Sequence, residues 1–341
     1  MSSLNVGRLN ATGTGVKFPS YTTASLPTGE VGLTVWDTTD SKLKIYNGAD
    51  WVPVPGQEDH PVGSQAFAYT GSDQAWVVPA SVTKIKIKVW GGGGGGGGTS
   101  GWSDGGRGGG GGHASGNYDV TPGQAFTVVV GQNGTQRSPT RTYGGGGRAA
   151  NTWGPGSGAG LSGVFTGGSS VFSGASAAAG AFPRSLILAG GGGGGGATRN
   201  PNSTNGGGGG GSSGANGTAN YNNNNGTGGS QGLAGTSRCT ANAGQLSGGD
   251  SQNPYGAGGG SGYYGGGAGC YQEPLDMGGG GGGSGYIAGS IQGAILVTGG
   301  TGSNSPGGPA NSSDIDNQGA GTGGNTNSPG TPGRVVISWP Y

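Results

Sequence analysis

Ser81-Val-Thr-Lys-Ile-Lys-Ile-Lys-Val-Trp90 runs without a break into eight consecutive glycines, Gly91–Gly98. Its first part alternates. Lys84, Lys86 and Lys88 fall on one face and Ile85, Ile87 and Val89 on the other, the period-two pattern of a half-buried strand. The second part has no side chains at all. Five further glycine blocks follow downstream, at 108–112, 144–147, 190–196, 206–211 and 278–283, besides a mixed stretch at 256–269. What such a block does decides the fold.

An isolated glycine run is a flexible coil. Holding eight residues straight costs on the order of 10 kcal/mol, at ~1–2 kcal/mol each. The ordered alternative is an extended helix of the polyproline II type, with three residues per turn and a rise of ~3.1 Å, so that eight residues span roughly 25 Å. Such a thread bonds nothing internally, and its N–H and C=O groups point outward in three directions. Without side chains, several threads approach closely enough to bond to one another in a near-hexagonal bundle. Each inter-thread bond then contributes ~0.5–1.5 kcal/mol, so many threads offset a cost that one cannot. Three features favour the bundle: the blocks are nearly pure glycine, they have similar reach, and several adjoin apolar strands, as at Val89-Trp90-Gly91 and Leu188-Ala189-Gly190.

Composition points the same way. Of 341 residues 94 are glycine and only 29% are hydrophobic, too little apolar volume for an ordinary enzyme core. Fifteen Lys and Arg against 14 Asp and Glu leave a formal charge of +1, which recruits neither nucleic acid nor membrane. The middle of the chain is mildly basic, with Arg137, Arg141, Arg148, Arg184, Arg199 and Arg238 and no acid between Asp119 and Asp250. Arginines spread singly among glycines read as solubilising rather than phosphate-binding. Residues 1–11 lack the apolar stretch of a signal peptide and no run is long enough to span a membrane, so synthesis in a cytosol is expected. Cys239 and Cys270 enclose a Gly/Tyr-rich loop; the sequence leaves a structural disulfide between them open.

Residues 1–56 read as a separate small β module, with strands at 32–37, 42–46 and 51–54 and a turn at Asn47-Gly48. It is too short to own a sufficient core and is expected to lean on another chain or a particle. A linker follows at 57–64. Residues 65–341 form the glycine-rich region, with strands expected at 65–69, 75–78, 81–90, 113–120, 125–130, 163–171, 185–189, 294–297 and 334–339 and almost no α-helix. The fold class is therefore mostly β, a β-sandwich joined to a bundle of polyglycine helices.

Several segments resemble known glycine-rich domains of phage and bacterial surface proteins: Trp76-Val-Val-Pro79, Val82–Gly93, Gly111–Gly131, Leu186–Gly192 and Gly333–Trp339. A related domain stands outside the membrane in the anaplastic lymphoma kinase receptor family. The resemblance covers about 65–341 and implies a β-sandwich fused to polyglycine II helices. Separately, Leu26–Trp51 is similar to short β modules of phage tail-fibre and other virion proteins. The pairing implies a virion-borne fibre or adhesin, exposed on the particle, with the N-terminal module docked to a virion protein. Fibres of this kind are commonly trimers, although no heptad or repeat register here fixes a number.

Catalytic apparatus is not visible. GxGxxG patterns are expected by chance in so much glycine, and there is no Gly-Lys dipeptide for a phosphate loop. His60 and His113 have no carboxylate at triad or metal spacing, and Glu58-Asp59 and Asp314/Asp316 read as solvated loop acids. No enzyme, cofactor or metal is expected. The informative loops punctuate the glycine blocks and carry Trp102, Trp153, Tyr221, Tyr255, Tyr263, Tyr264 and Tyr271 among Asn, Ser and Thr. That mixture suits recognition of a host-surface glycan or protein, because rigid aromatics supply area and short polar groups supply hydrogen bonds. The plainer reading is that these rings cap the threads and shield them from water.

Overall fold

A computed structural model of the protein describes residues 10–12, 15–39, 42–54, 63–98, 105–150, 154–197, 203–220, 224–239, 243–252, 256–272, 276–303 and 305–339. The chain divides into two compact units, residues 1–60 with 341, and 61–340. It is mostly β, with several sheets and almost no helix beyond two 3₁₀ turns, Thr23–Ser25 and Phe182–Arg184. The strands are β1 (Asn10–Thr12), β2 (Gly15–Lys17), β3 (Ser20–Tyr21), β4 (Thr34–Asp37), β5 (Lys42–Tyr46), β6 (Trp51–Pro53), β7 (Gly63–Phe67), β8 (Gln74–Val77), β9 (Lys84–Trp90), β10 (His113–Asp119), β11 (Ala125–Val129), β12 (Ser162–Thr166), β13 (Phe172–Ser173), β14 (Ser176–Ala177), β15 (Ser185–Ala189), β16 (Tyr271–Gln272), β17 (Asp276–Met277), β18 (Tyr286–Ile287), β19 (Gln292–Val297) and β20 (Arg334–Trp339).

In the smaller unit β3, β4, β5 and β6 form one sheet in that order. Val35 is the only large apolar side chain it buries fully among the described residues, while Val31, Leu33 and Trp36 stay exposed. An ion pair holds the interior instead. The buried Asp37 accepts from Lys44 Nζ at 2.7 Å and Thr23 Oγ1 at 2.7 Å, and from the Thr39 N–H at 2.9 Å. A buried charge persists when its lone pairs are filled in this way.

In the larger unit two five-stranded sheets, ordered β19-β10-β9-β20-β7 and β18-β15-β12-β11-β8, share one apolar cluster. Ile85, Ile87, Val89, Val335 and Ile337 come from the first sheet, and Trp76, Phe126, Val128, Val164 and Ile187 from the second. The alternation of the 81–90 stretch therefore does what its spacing predicts, although the strand begins at Lys84. Gly63 and Ser64, expected in the linker, pair with Trp339 and Ser338 as part of β7. The expected 163–171 strand stops at Thr166, where Gly167 follows with φ +77°; beyond it the Asp73 carboxylate accepts from the amides of Val171 and Phe172. The Ala-containing 175–181 stretch, the nearest thing to a helix signal, holds β14 and a turn.

The glycine blocks are buried and bonded to one another. Within 91–98 the amides of Gly91, Gly94 and Gly97 donate to Gly112, Gly109 and Gly106; those of Gly92, Gly95 and Gly98 to Gly160, Ser157 and Gly154; those of Gly93 and Gly96 to Thr331 and Ser328. Every third residue thus meets the same neighbouring chain. Block 190–196 donates to 92–95, 204–207 and 258–261 and accepts from 106–112, 156–159 and 280–283, so six chain segments surround it. Block 278–283 repeats the pattern. Block 144–147 does not: Gly144 and Gly145 have φ of +84° and +85°, and the segment is a tight turn closed by the Gly145 N–H on the Thr142 carbonyl. Cys239 and Cys270 form a disulfide with Cα atoms 5.4 Å apart.

Candidate binding surface

Outside the shared core, the two sheets carry different coverings. On the first, the 309–320 segment lies over the face that holds Lys88, Trp90, His113 and Val336. Lys88 Nζ donates to Asp314 at 2.9 Å and Asp316 at 2.7 Å, which overturns the reading of these acids as solvated. Burial opposes the Lys88 charge, but the two carboxylates outweigh it and raise its pKa. For Asp314 burial is likewise outweighed, by the Asp316 amide and Lys88, and its pKa falls. His113, tilted at 38° against Trp90 with ring centres 4.7 Å apart, is pushed down to about 4 by burial, with the Asp314 charge opposing. The fold supplies the carboxylate that sequence spacing lacked, yet the ring is neutral and enclosed, a packing element rather than a base.

On the second sheet an aromatic group gathers at the surface. Tyr263 stacks on Tyr286 at 4.0 Å and 10° and on Phe182 at 4.3 Å and 23°, and Tyr264 stands edge-on to both Phe182 and Tyr263 at 5.6 Å. All four rings are half-buried. Their backbones are fixed by the glycine array: Tyr263 and Tyr264 follow the 256–262 thread, and their amides donate to the Ser284 carbonyl and hydroxyl at 2.9 and 3.1 Å. Ser284 ends the 278–283 block, two residues before Tyr286. Tyr264 also accepts from Gln245 Nε2 at 3.3 Å. Burial, then the neighbouring Tyr286 and Tyr264, raises the Tyr263 pKa, so the phenol stays neutral.

Of the seven aromatic residues expected to carry recognition, Tyr263 and Tyr264 meet in this cluster. Tyr271 lies on β16 beside the Cys239–Cys270 bridge, whose Cys239 sulfur contacts the Tyr271 carbonyl at 3.8 Å. Trp102, Trp153, Tyr221 and Tyr255 lie outside the described residues, as does His60. Sequence reasoning does not single out Phe182 and Tyr286. The available signal is positional, since Tyr286 stands where the 278–285 run ends, as Tyr263 does at the end of its own thread. Among the described residues no group of three His, Cys, Asp or Glu is placed to hold a metal ion, and no helix is long and apolar enough to cross a membrane. Neither models of known protein families nor the curated proteins give a match to this chain.

Proposed function

We propose that the protein is a non-enzymatic phage virion fibre or adhesin, whose aromatic loops bind a host-surface glycan or protein. In this reading the glycine array is a bundle of polyglycine II helices. The three-residue period of its hydrogen bonds and its six-neighbour surroundings support that assignment. The observation that carries the function is the Phe182–Tyr263–Tyr264–Tyr286 cluster set on hydrogen-bonded threads. Rings held in place before binding lose little freedom on binding, so weak contacts keep more of their free energy. Many copies on a particle then strengthen attachment by avidity. The N-terminal module, with one fully buried large apolar side chain among its described residues and Trp36 exposed, fits a docking element for a virion protein.

A purely structural virion component, a capsid fibre or decoration protein serving as a spacer, is the second reading. A spacer has no need of a ring surface, and that separates the two. Full-length protein labelled with a fluorophore is added to intact host cells, alongside Tyr263→Ala and Tyr264→Ala variants of matched melting temperature. The adhesin reading expects saturable binding that falls at least tenfold in the variants. Location on the particle without binding by the wild type would leave the spacer.

A further inference from the structure

Most described arginines already have partners inside the protein. Arg184 donates to the carbonyls of Thr166, Ser169 and Ser170, Arg141 and Arg148 meet Asp250, and Arg107 reaches Asn325. The Arg334 side chain makes no hydrogen bond or ion pair with any described residue, and its Nε is buried without an acceptor. Its cross-strand neighbour Trp90 leaves Nε1 in the same condition. Buried donors without acceptors are rare; these two are closed to solvent, so what the half-buried Arg334 offers a ligand is the outer part of its guanidinium.

Arg334 lines a surface cavity of about 370 Å³ together with Ala68, Tyr69, Gln318, Ala320 and Pro332. The volume lies at the lower end of the range of small-ligand sites. No acid contributes to the lining, so the guanidinium is the single charge there. The rim is held by its own bonds: Thr331 Oγ1 donates to the Gly319 carbonyl at 2.8 Å, the Gly319 amide donates to Asn317 Oδ1 at 3.0 Å, and Asn317 Nδ2 donates to the Ala320 carbonyl at 3.1 Å. At its edge Gln318 is exposed, adopts φ +49° and makes no side-chain hydrogen bond with described residues. The cavity therefore combines a free guanidinium fork, a ring wall from Tyr69 and Pro332, and a free amide.

We propose that this cavity binds the carboxylate of an acidic sugar in a surface polysaccharide, which names a ligand class for the receptor reading and rests on it. The planar guanidinium takes a carboxylate through two parallel hydrogen bonds. The Tyr69 and Pro332 wall packs against the sugar ring, and the Gln318 amide meets its hydroxyls. Lys88 with Asp314 and Asp316 carries a net charge of −1 outside the lining, so Arg334 is the one group of the cavity that attracts an anion.

Isothermal titration of the full-length protein with an oligogalacturonate, a neutral galacto-oligosaccharide and galactose 6-phosphate tests the assignment. The acidic oligomer is expected to bind at least tenfold more tightly than the neutral one, with an advantage that shrinks as salt rises. Arg334→Gln should abolish that advantage. Gln318→Glu, on an exposed rim position, should weaken acid binding at least tenfold without changing the melting temperature, which separates recognition from folding. Equal affinity for acidic and neutral oligomers, no binding of either, or an Arg334→Gln protein that keeps the preference would overturn the proposal. Galactose 6-phosphate binding as tightly as the uronate would overturn the carboxylate assignment in favour of any anion. Cell binding measured in parallel distinguishes the two levels: attachment without acid preference removes this site alone, and acid preference without attachment removes the receptor reading.

Discussion

Replacing Gly94 by alanine tests the glycine array at one of its tightest points. A Cβ built there lies 2.0 Å from the Gly193 carbonyl oxygen and 2.6 Å from its carbon. Ordinary nonbonded contact needs about 3.5 Å between heavy atoms, so the threads must part by more than about 1 Å. Two hydrogen bonds join the threads beside that contact, from Gly192 to the Gly92 carbonyl and from Gly195 to the Gly95 carbonyl, both at 2.9 Å, and the two residues in contact hold four more to other segments. Gly94 donates to Gly109 at 2.9 Å and accepts from Gly324 at 2.7 Å; Gly193 donates to Gly207 at 2.8 Å and accepts from Gly109 at 2.9 Å. A shift of that size takes at least two beyond bonding range. Each buried group left unsatisfied costs about 1–3 kcal/mol, so the substitution destabilises by roughly 3–6 kcal/mol. At about 2–4 °C per kcal/mol for a unit of this size, the melting temperature falls by roughly 6–24 °C. Gly232→Ala is the control. Gly232 is exposed, has an ordinary φ and leaves an added methyl group with nothing within 4 Å, so alanine there stabilises by about 0.4–1 kcal/mol through the unfolded chain. Scanning calorimetry of both variants decides the matter. A Gly94→Ala protein melting within about 2 °C of wild type, less than even 1 kcal/mol would produce, would refute the claim that bonded backbone forms the interior.

Three other perturbations give separable outcomes. Asp37→Ala removes the carboxylate that the buried Lys44 ammonium meets at 2.7 Å in the smaller unit, at a cost of about 3–5 kcal/mol, and should abolish its transition while the larger unit melts unchanged. Acidification acts on the larger unit through His113. Its pKa is about 4 when folded against an ordinary 6.5, so the unfolded chain binds the proton first and stability drops as pH falls from 6.5 to 4. The loss is about 3 kcal/mol, and Asp314, also depressed, adds to it at lower pH. A guanidinium midpoint unchanged between pH 7 and pH 4.5, or a slope surviving in His113→Gln, would remove that account. Cys239→Ser opens a cross-link spanning 31 residues and is expected to lower stability by about 3–4 kcal/mol on chain entropy, which reduction of the wild type should reproduce.

The strands were legible because their information is local. Alternation in 81–90 and the apolar runs at 185–189 and 334–339 each specify a face, and a face specifies a partner. That glycine runs bond to one another was legible, but not which segments take part. Gly144–Gly147 has the composition of a thread yet turns, while 154–160 and 321–331 contain Pro, Ser, Ala, Asn and Thr and still join the array. Polar side chains of the array replace backbone groups in places: Asn205 Oδ1 accepts from the Arg107 amide at 2.8 Å and Ser157 Oγ from the Thr135 amide at 2.9 Å. Which segment bonds to which is a long-range matter that glycine, having no side chain, cannot encode locally. The same reason hid the Lys88–Asp314 pair and the Phe182–Tyr263 stack, whose members lie 226 and 81 positions apart.

An interior of this kind constrains where the molecule is free to vary. In an ordinary core a side chain can be exchanged for another of similar volume, and neighbours adjust at modest cost. Here the packing partners are backbone atoms, and a methyl group at Gly94, Gly109, Gly193 or Gly280 meets a carbonyl at 2.2 Å or less. No repacking relieves that, because the colliding carbonyl is itself a hydrogen-bond acceptor for a third thread. Sequence change is therefore confined to thread ends, to the loops that join them and to the outer faces of the two sheets. Those are the places that hold Tyr263, Tyr264 and Tyr286, and the cavity at Arg334. A scaffold so intolerant inside, with its chemistry at the margins, suits a protein whose binding surface changes while its frame does not. Saturation mutagenesis scored separately for folding and for cell attachment puts this to the test. Folding losses should concentrate at array glycines and attachment losses at the ring cluster and the Arg334 cavity, and substitutions at array glycines that abolish attachment while leaving the protein folded would contradict it.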